Sequence, residues 1–256
     1  MELDRVIAVR TEKTVYRDGD KCVKVFGEGY SAAEVLGEAA NHARAAEAGL
    51  PVPELYAALK TENKWVIVSR FIKGRTFETL FNRYPERREE FLKRFVDLQS
   101  AVFTKSSPSL PSFRERLERG IARAEIDEAT RFELQAQLRA TPRHVKFCHG
   151  HFTPSNVVAG DDGRDYLLDF SRAASGNASA DVAVTYLWFL YKKQKETAER
   201  YLDIYCGKSG TAKGYVLRFA TVTAAALSAE ANEEKRGFYL SYVRETLKHK
   251  GIDGLG

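Results

Sequence analysis

Residues 148–156 read CHGHFTPSN, and they contain two of the five histidines of this chain, on either side of a single glycine. An apolar run, HVKFC, leads into this stretch and a shorter one, NVVA, leads out of it, so we expect a loop between two short strands. A few residues further on, DYLLDFSRA places Asp169 at the end of a third short strand. The polar residues of these two loops are the first candidates for a functional site.

The composition narrows the class of protein. The chain has 256 residues, of which 44% are hydrophobic, enough to bury a core in one large domain or two closely joined lobes. Charged residues make up 29% and both signs are mixed throughout, which is typical of a soluble globular protein. The net charge of +5 favours anionic partners such as nucleotides or phosphates. No run of basic residues supports nucleic-acid binding, and no apolar run approaches the roughly 20 residues of a membrane span.

The cysteines and the N-terminus indicate the compartment. Cys22, Cys148 and Cys206 are far apart, odd in number and form no CxxC pair, so we expect free thiols in a reducing environment. The first residues, MELDRVIAVRTEK, are charged and lack the apolar core of a signal peptide. We therefore expect a cytoplasmic protein, whose oligomeric state the sequence does not settle.

The first 73 residues predict five strands and one helix. RVIAVR, TVYR and KCVKVF are rich in β-branched residues, and Asp18-Gly19 between the last two is a hairpin signal. Ser31 and Glu34 fit the capping box of a helix that ends near Gly49. LYAALK and KWVIVSRFI then predict two more strands.

After Gly74 the pattern becomes mostly helical. Pro85 can open a helix, two further helices fit within 112–140, and four amphipathic helices are expected near 179–193, 196–206, 210–230 and 232–249. Short strands are expected near 144–148, 157–159 and 165–169. Because strands and helices are segregated, we predict an α+β fold with a β-rich domain at 1–73 and a helical domain at 74–256.

Taken in order, these motifs resemble those of the aminoglycoside phosphotransferase family, which has a protein-kinase-like fold and includes choline kinases and other small-molecule kinases. The resemblance covers roughly residues 5–245. It implies a two-lobed fold in which residues 1–73 bind ATP or GTP and residues 74–256 carry the catalytic loop and the acceptor site. It further implies that the γ-phosphoryl group moves to a hydroxyl of a small molecule, with Mg²⁺.

The resemblance assigns a charged pair to the N-terminal lobe. Lys24, in the predicted third strand, stands where the family holds the nucleotide phosphates. Glu38 lies in the capped helix at the family's usual distance from GLPVP, and it would pair with Lys24 and orient its ammonium group. Glu34 is the rival partner, but its predicted capping role already accounts for it.

Two further nucleotide contacts follow from the resemblance. KWVIVSRFIKGRTF resembles the strand and hinge of the family, so backbone groups at Ser69, Phe71 and Ile72 would receive the adenine ring. VRTEKTVYR lacks the glycines of a protein-kinase phosphate loop, and Thr11 and Thr14 are the candidates to contact phosphate there.

CHGHFTPSN matches the family's catalytic loop, HGD followed by two residues and PxN, at every fixed position except one. The match makes Asn156 a magnesium ligand and Asp169, in LLDF, the second one. Hard magnesium ions prefer such oxygen ligands. Asp181, in the following segment GNASADVAV, fits the aspartate that braces the catalytic loop.

The exception is His151, which stands where the family has its catalytic Asp. Histidine can accept a proton near neutral pH, since its reference pKa is about 6.5. Three interpretations remain open. His151 is an alternative base, the protein is a weak or inactive kinase that still binds nucleotide, or another acid in space takes the role.

Two other classes of function compete with this interpretation. Cys148, His149, His151 and Asp169 carry side chains that suit zinc, but neither CxxC nor HExxH occurs. The non-enzyme alternative is a pseudokinase that binds nucleotide and acts as a scaffold. The acceptor is not readable, although a net charge of +5 disfavours polycations such as aminoglycosides.

Overall fold

The computed structural model describes residues 5–10 and 12–248. The strands are β1 Arg5–Arg10, β2 Lys13–Asp18, β3 Lys21–Phe26, β4 Leu55–Thr61, β5 Lys64–Arg70, β6 Gly74–Thr76, β7 Lys146–Cys148, β8 Val157–Gly160, β9 Asp165–Leu167 and β10 Ala174–Gly176. The α-helices are α1 Ala32–Glu47, α2 Phe77–Arg83, α3 Arg88–Val102, α4 Phe113–Arg123, α5 Glu128–Arg139, α6 Ala178–Tyr191, α7 Lys195–Ser209, α8 Lys213–Ser228 and α9 Glu233–Lys248. Short 3₁₀ helices cover Pro85–Arg87, Pro154–Asn156 and Phe170–Arg172.

The chain forms two compact units, each built from two segments. The first unit comprises Met1–Phe91 and Pro154–Ala173, and the second comprises Leu92–Thr153 and Ala174–Gly256. The domain division predicted from the sequence, between residues 73 and 74, stays a prediction.

The first unit contains a five-stranded antiparallel sheet in the order β1-β2-β3-β5-β4. The predicted hairpin between β2 and β3 is confirmed, with Gly19 at a φ of 59°. Glu62 and Asn63 both adopt positive φ in the tight turn that joins β4 to β5. The predicted group of five strands and one helix is therefore correct.

Helix α1 begins with the predicted capping box. The Ser31 hydroxyl accepts a hydrogen bond from the Glu34 backbone N–H, and the Glu34 carboxylate accepts one from the Ser31 backbone N–H. The buried face of α1, with Val35 and Ala39, packs against Phe26 and Ile67 of the sheet. These apolar contacts fix α1 against β3 and β5, which matters for the site below.

The first unit also contains the three-stranded sheet β6-β8-β9, whose strand β6 the sequence analysis missed. A Cβ atom at Gly74 would overlap the carbonyl oxygen of Ala159 in the neighbouring strand β8. Gly74 is thus required for close backbone approach. Strands of three residues, such as β6 and β10, are too short to show an alternating pattern in the sequence. The sequence analysis also missed helix α2, which Thr76 caps.

The second unit is mostly helical, and the four helices predicted after residue 179 are confirmed as α6 to α9. Helix α6 is apolar nearly all round and most of its residues are buried, as expected of a helix at the centre of a bundle. Strand β7 pairs with β10 and leads directly into the loop that begins at His149. The predicted α+β class is confirmed.

Within the described ranges, no helix has the length and apolar character needed to cross a membrane.

Candidate active site

Lys24 and Glu38 form the predicted pair in the first unit. Strand β3 directs Lys24 and Phe26 to the face that packs on α1, because alternate residues of a strand share a face. The Lys24 ammonium donates a hydrogen bond to Glu38 Oε1. Glu38 is buried, whereas Glu34 is occupied by the helix cap, so the choice between the two glutamates is decided by geometry.

A second lysine reaches the same carboxylate, and the sequence analysis missed it. Lys13 Nζ lies 3.3 Å from Glu38 Oε2, and it sits over the rings of Phe26 and Tyr30 at 5.0 and 4.9 Å. The signal is the register of the hairpin, which places Lys13 opposite Phe26. Glu38 therefore accepts from two ammonium groups, one on each of two neighbouring strands.

Asp169 completes this charged centre. Its carboxylate Oδ1 lies 3.4 Å from Lys24 Nζ and also accepts a hydrogen bond of 2.8 Å from the Ser171 hydroxyl. Asp169 has a φ of 65°, in the left-handed region that a non-glycine residue seldom adopts. Burial by itself would lower the pKa of Lys24, but the carboxylates of Asp169 and Glu38 outweigh it and raise that pKa. Lys24 is therefore a cation at neutral pH.

Asn156 lies beside Asp169 in the first unit. It ends the 3₁₀ helix Pro154–Asn156 and is buried. Its backbone carbonyl accepts a hydrogen bond of 2.9 Å from the Leu168 N–H, one residue before Asp169. An amide oxygen and a carboxylate oxygen are hard donors of the kind that Mg²⁺ binds, together with waters and phosphates. The donor set thus fits the predicted metal.

Helix α1 also holds the backbone that follows Asp169. Asn41 Nδ2 donates a hydrogen bond of 3.2 Å to the carbonyl of Phe170, and Arg44 donates one of 3.0 Å to Asn41 Oδ1. The His42 ring lies 5.5 Å from the Phe170 ring. Burial lowers the pKa of His42. One helix therefore positions both Lys24, through Glu38, and the segment that carries Asp169.

The predicted hinge continues from the end of β5. Ser69 lies in that strand opposite Cys22 and Leu55, and the Phe71 N–H donates a hydrogen bond of 2.7 Å to the carbonyl of Asp20. The Phe71 amide is thus engaged within the unit. The adenine contacts assigned to Ser69, Phe71 and Ile72 stay predictions.

The phosphate contacts assigned to the strand β1–β2 region also stay predictions. Thr14 pairs with Val25 in the sheet, whereas Thr11 lies outside the described residues.

In the second unit, Asp181 holds the start of the loop as predicted. Its two carboxylate oxygens accept hydrogen bonds of 2.8 Å from the backbone N–H groups of His149 and Gly150. Gly150 has a φ of 74°, which favours glycine at that position. Burial of Asp181 outweighs these two hydrogen bonds and raises its pKa to about 7. The loop is therefore anchored through its main chain.

His149 and His151 differ in environment, although one residue separates them. His149 is fully buried, and its Nδ1 accepts a hydrogen bond of 3.3 Å from the His151 backbone N–H. That acceptor role requires His149 Nδ1 to carry no proton. His151 is only partly buried. The two histidines thus have different tasks, one inside the loop and one at its surface.

The zinc alternative finds no support in the site. Burial is the main cause of a pKa of Cys148 well above its usual value, so this thiol stays protonated and is a poor metal ligand. In the ranges that the structure covers, no three His, Cys, Asp or Glu side chains come together to hold a metal. Cys22, Cys148 and Cys206 are all free thiols, as expected.

The fold and this site define a class, the phosphotransferases with a protein-kinase-like fold. A strand lysine held by a helix glutamate, next to an aspartate that follows a short strand, is the arrangement that such enzymes use for nucleotide phosphates and metal. A family model described as the phosphotransferase enzyme family matches residues 4–217. The chain belongs to this family.

Solved structures share the fold. An aminoglycoside-3'-phosphotransferase of type VIII is 20% identical, with 93% of this chain and 91% of that chain covered and a TM-score of 0.63. The choline kinase LicA from Streptococcus pneumoniae is 14% identical, with 95% and 92% covered and a TM-score of 0.67. A thermostable mutant of aminoglycoside phosphotransferase APH(4)-Ia, in ternary complex with ADP and hygromycin B, is 18% identical, with 95% and 93% covered and a TM-score of 0.67. The two-lobed kinase-like fold predicted from the sequence is therefore confirmed. A comparison with curated protein sequences found no significant match.

Proposed function

We propose that this protein transfers the γ-phosphoryl group of ATP to a hydroxyl of a small molecule, with Mg²⁺. The observation that carries the proposal is the placement of Lys24 between the carboxylates of Glu38 and Asp169, in a chain of the phosphotransferase family. Residues 1–73 would form the nucleotide-binding lobe and residues 74–256 the lobe of the acceptor. The free thiols agree with action in the cytoplasm.

The nucleotide is assigned as ATP. The related APH(4)-Ia structure contains ADP, and the LicA kinase has been solved with AMP, so adenine nucleotides are the ones supported. Backbone groups of Ser69, Phe71 and Ile72 would bind the adenine ring. The Phe71 N–H is engaged by Asp20, so we expect the ring to be met chiefly by the other backbone groups.

The phosphates would be bound by Lys24, which Glu38 holds in place. Lys13 supports this arrangement because it shares the Glu38 carboxylate and adds a second positive charge close by. A cation beside phosphate oxygens offsets the charge that develops during transfer. Lys24 is therefore assigned to the phosphates and Glu38 to the orientation of Lys24.

Asn156 and Asp169 would hold the metal through their side-chain oxygens. Bound there, Mg²⁺ would offset the negative charge of the phosphates during transfer. The left-handed backbone of Asp169 and the contact between Asn41 and Phe170 keep the carboxylate directed at the charged centre. Asp169 and Asn156 are thus the residues whose loss should remove the effect of magnesium.

His151 would serve as the base toward the acceptor. The acceptor oxygen forms a bond to the γ-phosphorus, the bond from that phosphorus to the β–γ bridging oxygen breaks, and the hydroxyl proton passes to a ring nitrogen of His151. Because the transition state for phosphoryl transfer is loose, the position of His151 counts for more than its basicity. The acceptor would be a small molecule with a hydroxyl group; the related APH(4)-Ia structure contains hygromycin B.

The second candidate function is a nucleotide-binding pseudokinase, which the His at position 151 favours. It shares every role assigned to Lys24, Glu38, Asn156 and Asp169 but predicts no turnover. Measured ATP consumption in the presence of candidate acceptors separates the two functions.

The first experiment is a thermal melt of the wild-type chain with ATP, with and without Mg²⁺. Ligand at about a hundred times its Kd stabilises by roughly 2.7 kcal/mol, a shift of several degrees for a chain of this size. Lys24→Met should abolish the shift. Lys21→Met is the matched control, since Lys21 lies on the same strand with its side chain exposed, and it should keep the shift. A shift that is equal in both variants would contradict the assignment of Lys24, and no shift in the wild type would contradict nucleotide binding altogether.

A further inference from the structure

A chain of buried hydrogen bonds runs from helix α7 to the loop that carries His151. The Tyr201 hydroxyl donates to Gln99 Oε1 at 2.5 Å, and Gln99 Nε2 donates to the Thr185 hydroxyl at 3.2 Å. The Thr185 hydroxyl donates in turn to the carbonyl of Phe152 at 2.5 Å. All of these residues belong to the second unit, and all four are almost fully excluded from solvent.

The chain has one direction. Gln99 turns its amide N–H₂ toward Thr185 and its oxygen toward Tyr201, so the Thr185 hydroxyl accepts from Gln99. That hydroxyl, which has a single proton, lies closer to the Phe152 carbonyl, at 2.5 Å, than to the Asp181 carbonyl, at 3.5 Å. Hydrogen bonds aligned in this way polarise and strengthen one another in a low-dielectric interior. Two residues on other helices, Gln99 on α3 and Tyr201 on α7, therefore support the orientation in which the Thr185 hydroxyl donates to Phe152.

This series of hydrogen bonds ends at the carbonyl of Phe152, the residue directly after His151. The same helix α6 contacts the loop one turn earlier, where Asp181 accepts from the N–H groups of His149 and Gly150. Helix α3 packs against the side chain of Phe152, since the ring centroids of Phe95 and Phe152 lie 4.8 Å apart. The backbone on both sides of residue 151 is thus fixed by helices α6 and α3.

Stability alone does not account for three polar side chains in this core. Replacing a buried hydrogen-bonded group by an apolar one of the same shape is often nearly neutral, provided that no partner is left unsatisfied. What the polar chain adds is a fixed position for the Phe152 carbonyl. We infer that Thr185, Gln99 and Tyr201 are positioning residues that set the place of the His151 side chain, an inference that rests on the proposed role of this loop.

The test compares two isosteric changes of buried threonines. Thr185→Val removes the hydroxyl that donates to Phe152, whereas Thr223→Val is the matched control, because the Thr223 hydroxyl is buried and has no hydrogen-bond partner among the described residues. The readout that does not depend on activity is the NMR signal of the His151 ring in protein labelled with ¹³C at histidine Cε1, assigned with His151→Asn. Thr185→Val should move or broaden this signal, and Thr223→Val should leave it unchanged.

Catalysis gives the second readout, with ATP and water as the probe reaction. Because a misplacement of 1 Å can cost about 10²-fold in rate, we expect Thr185→Val to lower kcat for Mg²⁺-dependent ATP hydrolysis at least ~10-fold, with KM for ATP nearly unchanged. The KM should hold because Lys24 and Asp169 belong to the other unit. Thr185→Ser keeps the hydroxyl and should restore most of the rate.

Tyr201→Phe keeps the ring and its packing but removes the first donor, so its effects should be in the same direction and smaller. If Thr185→Val does not fold, the His151 signal and kcat of Tyr201→Phe test the inference in its place. The inference is overturned if a folded Thr185→Val or Tyr201→Phe leaves the His151 signal and kcat like those of Thr223→Val. A wild type that shows no magnesium-dependent ATP shift would overturn the proposed function instead, while the NMR comparison would still judge the positioning.

Discussion

The two units hold their candidate residues in different ways. In the first unit, Lys24, Glu38 and Asp169 hold one another through charged side chains. In the second unit, the loop around His151 is held through main-chain groups, by Asp181 at its start and by Thr185 after it. The charged centre depends on the identity of each side chain, whereas the loop contacts depend on the course of the backbone.

This difference explains how a histidine can stand at position 151. The hydrogen bonds that shape the loop come from the backbone of residues 149, 150, 151 and 152. A change of side chain at residue 151 therefore leaves these contacts in place. A change at Lys24 or Glu38, by contrast, leaves a buried partner without its opposite charge, which is costly.

The largest expected effect separates the two aspartates by stability. Asp181→Ala leaves two buried N–H groups without an acceptor, at a cost of about 1–3 kcal/mol each. Asp169→Ala leaves Lys24 paired with Glu38, so we expect it to cost less stability than Asp181→Ala while it abolishes the magnesium-dependent ATP shift. Urea unfolding and thermal melts with nucleotide measure the two effects. Equal destabilisation by both variants would contradict the claim that Asp181 supports the fold more than Asp169 does.

The next effect is a pH dependence carried by Asp181. Folding raises its pKa from 3.8 to about 7, so the folded state favours the protonated acid. This contribution is fully present below the unfolded pKa and is lost as pH rises from about 4 to about 7, by roughly 4 kcal/mol in all. Asp181→Asn has no carboxyl group to titrate at this position. The free energy of unfolding of the wild type, minus that of the variant, should therefore fall as pH rises from about 4 to about 7.

Urea unfolding at pH 4.5, 6 and 7.5 measures that difference. The comparison of the two proteins cancels the opposite slopes of surface carboxylates with lowered pKa values, such as Asp127 and Glu34. A difference that stays constant with pH would mean that Asp181 is ionised throughout.

A third, smaller effect distinguishes the two glutamates of helix α1. Glu38→Gln removes the charge that holds Lys24 and Lys13, and the resulting misplacement should lower kcat/KM for ATP by about 10²-fold. Glu34→Gln keeps a residue type that the capping box accepts and leaves Glu38 in place, so it should leave kcat/KM and stability close to those of the wild type. Steady-state kinetics of both variants checks this, and comparable kinetic losses would refute the assignment.

The smallest expected effect on stability is that of His151→Asp. Because main-chain contacts shape the loop, the variant should melt within about 2 °C of the wild type, as most exposed substitutions do. Its turnover then tells what the histidine does. A rise of more than tenfold means that the natural histidine is a loss, and a fall means that it is the working base.

Local features of the fold could be predicted from the sequence. The capping box at Ser31, the turn at Gly19 and the helix periodicity after residue 179 depend on neighbouring residues only. Lys24 and Glu38 could be paired because the family resemblance assigns them. Lys13 was missed because its role depends on the hairpin register, and Gln99 because its partners lie far away in the sequence, at Thr185 and Tyr201.

The burial of the charged centre has a consequence for the effect of salt. Side-chain exposure is 15% for Lys24, 7% for Glu38 and 17% for Asp169, whereas the surface pair of Lys73 and Asp161 is 82% and 57% exposed. Dissolved ions screen exposed charges over about 8 Å at physiological ionic strength, and they screen buried pairs much less. The alignment of Lys24 should therefore be nearly independent of ionic strength, so that the centre keeps the same geometry in dilute buffer and in concentrated salt.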